Sequence, residues 1–117
     1  MNTKYEKYIN YIVSDIKPPY FKNMVDMYGL RPDEYELILS KLFNQPVSIT
    51  GKRVENIQDQ DLYLELNDGY WQKTERNDRG DITYEVNSDG NWSKREYDEQ
   101  GYEVYYEDSY GTVIDYR

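Results

Sequence analysis

The spacing of apolar residues changes part-way along the chain. Tyr5, Tyr8, Ile9, Ile12, Val13 and Ile16 recur at three- and four-residue intervals, the stripe of an amphipathic helix, and Pro18-Pro19 cannot continue it. A second helix fits Tyr20 to Tyr28, with Phe21, Met24, Val25 and Tyr28 on one side and Gly29 as its stop. A third starts at Pro32, where Asp33, Glu34 and Glu36 suit the positive end of the helix dipole. Its stripe is Tyr35, Ile38, Leu39, Leu42 and Phe43, and Asn44 and Pro46 end it. Further on the period becomes two. Leu62, Leu64 and Leu66 alternate with Tyr63 and Glu65, and Ile82, Tyr84 and Val86 alternate with Thr83 and Glu85, as in strands with two distinct faces.

Glycines set the rhythm of this second part. Gly69, Gly80, Gly90, Gly101 and Gly111 are separated by 11, 10, 11 and 10 residues, the length of one short strand and one tight turn. Strands are predicted at 61–67, 70–76, 81–87, 91–97, 102–107 and 112–116. Trp71 and Trp92 lie 21 residues apart, each two places after a turn glycine, which points to packing between equivalent strands. The predicted fold is α+β: a three-helix head over 1–46, then an acidic antiparallel β-meander over 47–117 of about six short strands in two-strand units of ~21 residues, packed as one compact unit. A hairpin is expected around Val47–Ile49, Gly51 and Val54; the register of 47–66 stays open, because the glycine spacing is missing there.

Composition narrows the chemistry. The chain has no cysteine and no histidine, which removes disulfides, thiolate nucleophiles, Cys/His zinc sites and histidine acid–base catalysis. Tyrosine is the dominant aromatic, 15 copies against 2 Phe and 2 Trp, and suits half-exposed sheets and binding surfaces. The N-terminal stretch has no apolar signal-peptide core, and no apolar run approaches the ~20 residues of a membrane span. The expectation is a soluble, cytoplasmic protein without membrane contact.

Charge is segregated. Residues 1–50 carry six acidic and six basic side chains, whereas residues 51–117 carry seventeen and eight, a net −9 on the sheet. Such a field repels nucleic acid and attracts basic partners, and it also guards an open sheet against edge-to-edge aggregation. Three helices and a hairpin invite a winged helix-turn-helix reading, but the third helix would present Asp33, Glu34 and Glu36 to phosphates, so direct nucleic-acid binding is not expected.

The stretch Gly90-Asn-Trp-Ser-Lys-Arg-Glu-Tyr97-Asp98-Glu-Gln-Gly101, with Glu103-Val104-Tyr105-Tyr106-Glu107-Asp108-Ser-Tyr-Gly111 and Asp115-Tyr116, resembles the YD repeat of Rhs-type proteins, a Tyr-Asp-x-x-Gly turn in units of about twenty residues. The preceding unit has Arg76-Asn77 in place of Tyr-Asp and keeps Gly80, and an earlier half-unit has Asp59 in the glycine place. The likeness covers roughly residues 52–117. The units are too few to build the toxin-enclosing shell of large Rhs proteins, and the chain looks more like short YD-bearing proteins of phages and prophages. By analogy of size and charge, that likeness implies a small inhibitor of host defence of the anti-CRISPR type. A second likeness, to choline- and glucan-binding surface repeats, would use Trp71, Trp92, Tyr105 and Tyr106 as stacking platforms, though those proteins are secreted.

Catalysis is not expected. Glu65, Glu85 and Glu107 recur near equivalent strand positions, whereas a catalytic carboxylate pair needs two unlike environments. Asp59/Asp61 and Asp78/Asp81 do not match the twelve-residue calcium loop, so neither metal nor cofactor is expected. The sequence reading is a non-enzymatic binding protein that blocks a basic, nucleic-acid-handling protein such as a CRISPR effector by charge mimicry. Its array would be Glu65, Asp68, Glu85, Asp89, Glu103, Glu107 and Asp108, with Tyr63, Trp71, Trp92 and Tyr105 as aromatic anchors. The rival is a structural or assembly protein that uses the sheet as scaffold and the head, through Tyr5, Ile9, Ile12 and Ile16, for oligomerisation.

Overall fold

A computed structural model describes residues 3–117, with side chains from Lys7 onward, so Tyr5 of the first stripe lies outside the described side chains. The fold is α+β, with three N-terminal helices followed by an antiparallel β-meander of eight strands among the described residues, two more than the periodicity predicts. The chain forms two compact units, Met1–Asp61 and Leu62–Arg117. No described helix is long and apolar enough to cross a membrane.

In the first unit the helices are α1 (Thr3–Asp15), α2 (Tyr20–Asp26) and α3 (Pro32–Phe43). Ile9, Ile12 and Ile16 are buried, as are Tyr20, Phe21, Met24, Ile38 and Leu39, so the isoleucines of the α1 stripe are core, whereas Tyr8 is exposed and Val13 half-buried. Edge-to-face ring pairs, Tyr20 with Phe43 and Phe21 with Tyr35, tie α2 to α3. Helix α2 is shorter than expected and Val25 is exposed. Gly29, at φ 63°, ends the turn, and the amides of Gly29 and Leu30 reach back to the carbonyls of Val25 and Met24. Helix α3 opens as predicted at Pro32, where Glu34 Oε1 accepts the Arg31 amide at 3.1 Å, and it closes on Asn44 in the left-handed region. The expected hairpin is β1 (Ser48–Thr50) and β2 (Arg53–Glu55), turned at Gly51.

The second unit carries β3 (Asp61–Glu65, its first residue at the end of the first unit), β4 (Trp71–Arg76), β5 (Ile82–Asn87), β6 (Trp92–Tyr97), β7 (Glu103–Asp108) and β8 (Val113–Asp115). From β3 to β8 each strand pairs antiparallel with the next in chain order. Burial fades along this series. Leu62, Tyr63, Glu65 and Thr74 are buried, and no residue after Thr74 is. Neither face of β5–β8 is sealed.

The ten-residue beat has a physical origin in the turns. At 56–60, 66–70, 77–81, 87–91, 98–102 and 108–112 the first residue's amide bonds the carbonyl four places on, and its carbonyl takes the amide three places on. That donor is in the left-handed region each time: Asp59 (φ 61°) in the first turn, glycine in the other five. This is a type I turn closed by a glycine bulge. In five turns the first residue is Asn or Asp (Asn56, Asn77, Asn87, Asp98, Asp108), and its side-chain oxygen accepts the amides two and four places later. Leu66 opens the sixth.

Candidate functional site: the open sheet faces

Register decides which side chains meet. Tyr63 stands opposite Lys73 and Glu65 opposite Trp71; Lys73 opposite Val86, and Val86 opposite Trp92; Glu75 opposite Tyr84, Tyr84 opposite Lys94, and Lys94 opposite Glu107; Glu96 opposite Tyr105. Opposed residues share a face and successive residues alternate. One face therefore carries Tyr63, Trp71, Tyr84, Trp92 and Tyr105 with Lys73, Lys94, Glu65, Glu75, Glu96 and Glu107. All four anchors named from the sequence fall on it. Tyr84 joins them; the signal for it was available, since Tyr63, Tyr84 and Tyr105 are spaced by 21.

The acids do not gather in the same way. Glu85 lies opposite Thr74 and Ser93, and Ser93 opposite Asp108, which places Glu85 and Asp108 on the other face. Glu103 is on that other face too, because a bulge between Glu96 and Tyr97 pairs Tyr97 with Glu103 and skips Val104. A matching bulge between Glu75 and Arg76 skips Thr83, so Ile82 and Tyr84 point to opposite faces, unlike the simple alternation expected. Asp68 and Asp89 sit in turns at one end of the sheet. The single dense carboxylate array predicted from spacing is thus divided between two faces and a rim.

Many of these acids are also engaged within the molecule. Arg95 lies 3.0 Å from Glu103 and 3.8 Å from Glu85, with its guanidinium 5.2 Å from the centre of the Tyr106 ring. Glu65 is buried and accepts the hydroxyl of buried Tyr63 at 2.5 Å, so the surface a partner could touch loses this pair. The same same-strand contact, two residues apart, recurs as Tyr105 to Glu107 (3.1 Å) and Tyr106 to Asp108 (2.9 Å). Periodicity does not announce it, because it places a ring on a face and leaves open where the hydroxyl reaches. Asp108 caps its turn as well. Burial pushes its carboxyl up, but the Tyr106 hydroxyl and the amides of Thr112 and Tyr110 outweigh that and hold it below the usual range. Asp68 accepts the Tyr70 amide. Asp89 alone of the seven is both exposed and outside any such bond.

Arg117 completes the aromatic face. It bonds both carboxylate oxygens of Asp115 at 3.1 Å, approaches Glu96 at 3.2 Å and lies 4.1 Å over the Tyr105 ring. Residues 62–117 hold 14 acidic and 6 basic side chains, so the unit keeps a net charge of −8. Near the turns at 77–81 and 98–102 a shallow depression is lined by Arg79, Tyr84, Lys94, Glu96 and Tyr97. Among the described residues no group of three or more Asp or Glu side chains is placed to hold a metal ion.

No protein family, no curated protein and no solved structure matches this chain.

Proposed function

We propose that the chain is a non-enzymatic binding protein whose open sheet docks on a basic surface of a partner protein. The observation that carries this reading is the convergence of Tyr84, Trp92 and Tyr105, each half-buried, on one unsealed face beside Glu75, Glu96 and Glu107. Rigid aromatic rings are efficient anchors, and the surrounding net −8 steers positive surfaces toward them. The class of partner that fits is a nucleic-acid-handling protein, such as a CRISPR effector, whose lysines and arginines ordinarily hold phosphate. The division of the acids alters the mechanism from the one the spacing suggested. The rings supply contact energy and the carboxylates supply a diffuse attraction, in place of a patterned copy of a phosphate backbone. The resemblance to short YD-bearing phage proteins points the same way.

The test is a DNA-cleavage assay with purified CRISPR effector nucleases, run with the protein at low and raised salt. Inhibition that fades with salt and is lost in Trp92→Ala is expected. Salt-insensitive inhibition, or inhibition that survives Trp92→Ala, removes the reading. An assembly role through Ile9, Ile12 and Ile16 is disfavoured because these side chains are in the core.

A further inference from the structure

We infer that a helix of the partner lies across β4, β5 and β6 on the aromatic face, setting a cation over Glu75 and an anion over Lys94; this rests on the reading of that face as a docking surface. Glu75, Tyr84 and Lys94 form one row of register partners across the three strands. Glu75 and Lys94 are exposed, and among the described residues neither side chain has a polar partner. The arginines of the second unit are all engaged: Arg95 with Glu85 and Glu103, Arg117 with Asp115 and Glu96, Arg76 and Arg79 with the carbonyls of Gly80 and Glu99. Lys94 also stands opposite Glu107, but that carboxylate is turned along its own strand to the Tyr105 hydroxyl at 3.1 Å. A uniformly basic surface would bring like charge onto Lys94. A partner that answers both ends of the row carries one charge of each sign.

Spacing selects the form of that partner. Neighbouring strands are about 4.8 Å apart, so the ends of the row are separated by about 9.6 Å. On one side of an extended segment, side chains recur at about 6.8 and about 13.6 Å. On a helix, residues i and i+7 share a side and stand about 10.5 Å apart, with i+3 and i+4 midway. The helix matches the row to about 1 Å, and the extended segment misses by about 3 Å or more. Midway falls Tyr84, which lines the depression near the turns at 77–81 and 98–102. An aliphatic side chain at i+3 or i+4 enters there. A helix about 10 Å wide also covers Trp92, two residues before Lys94 on the same side of β6. The recognised segment is amphipathic: arginine or lysine, then an aliphatic residue, then aspartate or glutamate, one helical turn apart.

The experiment uses the full chain, isotope-labelled, and a blocked alanine-based peptide of about 18 residues, long enough to hold a helix alone. The peptide carries arginine at i, leucine at i+4 and glutamate at i+7; its net charge of zero removes the general pull of the acidic unit. On binding, the amide signals of Tyr84, Trp92 and Lys94 should shift together. Lys94→Glu and Glu75→Lys should each weaken the peptide about fivefold. The double reversal should restore it, because the helix can then lie the other way round. Should Lys94→Glu fail to fold, Lys94→Gln, which sets no like charge opposite Glu107, should still weaken the peptide. Binding that ignores both reversals but is lost in Trp92→Ala overturns the charge pairing and leaves the aromatic-face reading standing. Tighter binding by the same peptide broken with a central proline overturns the helix. No binding at low salt overturns the inference, while the nuclease assay still judges the face.

Discussion

Trp71 and Ser88 are joined by two hydrogen bonds, the Trp71 amide to Ser88 Oγ at 3.2 Å and the Ser88 amide to the Trp71 carbonyl at 2.9 Å. Trp92 and Ser109 repeat the pair at 3.1 and 2.9 Å. Each serine, in the second position of a turn, thereby extends the ladder into the loop. Ser88→Ala keeps the backbone bond and leaves the Trp71 amide without its second-strand acceptor. A loss of about 0.5–1 kcal/mol in denaturant unfolding is expected, and the Ser88→Ala, Ser109→Ala double variant should show nearly twice that.

Leu66 is the one turn-opening residue without a side-chain acceptor. Asn at this position would offer its oxygen to the Asp68 amide, as Asn87 does to Asp89 at 3.0 Å, and would share with Asp68 Oδ1 the Tyr70 amide that this carboxylate already accepts. Leu66 is already 45% exposed, so little burial is forfeited. Leu66→Asn should raise stability by about 0.5 kcal/mol, an unusual direction for replacing leucine with asparagine. A destabilised variant would show that the leucine packing outweighs the turn.

Tyr28 reports on the head. Burial first, and then its hydrogen bond to Asp15, push its hydroxyl up to about 12. Because the neutral form is favoured in the folded state, this contribution to stability is complete below the unfolded tyrosine value near ~10 and is lost as pH rises through about 12. Asp15→Asn should bring the Tyr28 transition down in an ultraviolet titration, with burial retaining part of the shift.

Asp108 behaves in the opposite sense. Its carboxyl is held below the ordinary aspartate value, so the stability it lends the last hairpin is present above that value and is lost as pH falls through the lowered one. Amides of Tyr110 and Thr112 should change shift together with the Asp108 carboxyl in an acid titration by NMR. Tyr106→Phe removes the hydroxyl donor and should move all three transitions toward higher pH.

Helix starts and stops, the strand series and the turn positions were legible because each depends on local chemistry: Pro32, Gly29, and glycine at a positive φ every ten or eleven residues. The shared face of these rings was legible for the same reason, since a 21-residue period fixes Tyr63 and Tyr105 on one side. The grouping of the acids was not. It turns on two bulges, at Thr83 and Val104, that no single residue announces, and each reverses the alternation beyond it. The engagement of Glu85 and Glu103 by one arginine depends on cross-strand register, which turn spacing alone leaves undetermined.

The paired bulges also make the sheet quantised. Tyr63, Tyr84 and Tyr105 keep the same side because a whole two-strand module restores the parity that each irregularity inverts. Gain or loss of such a module lengthens or shortens the ribbon while its aromatic side stays continuous. An insertion or deletion of one residue within a strand would turn every ring downstream to the opposite side. The smallest heritable change in length that leaves the aromatic face intact is therefore one complete module.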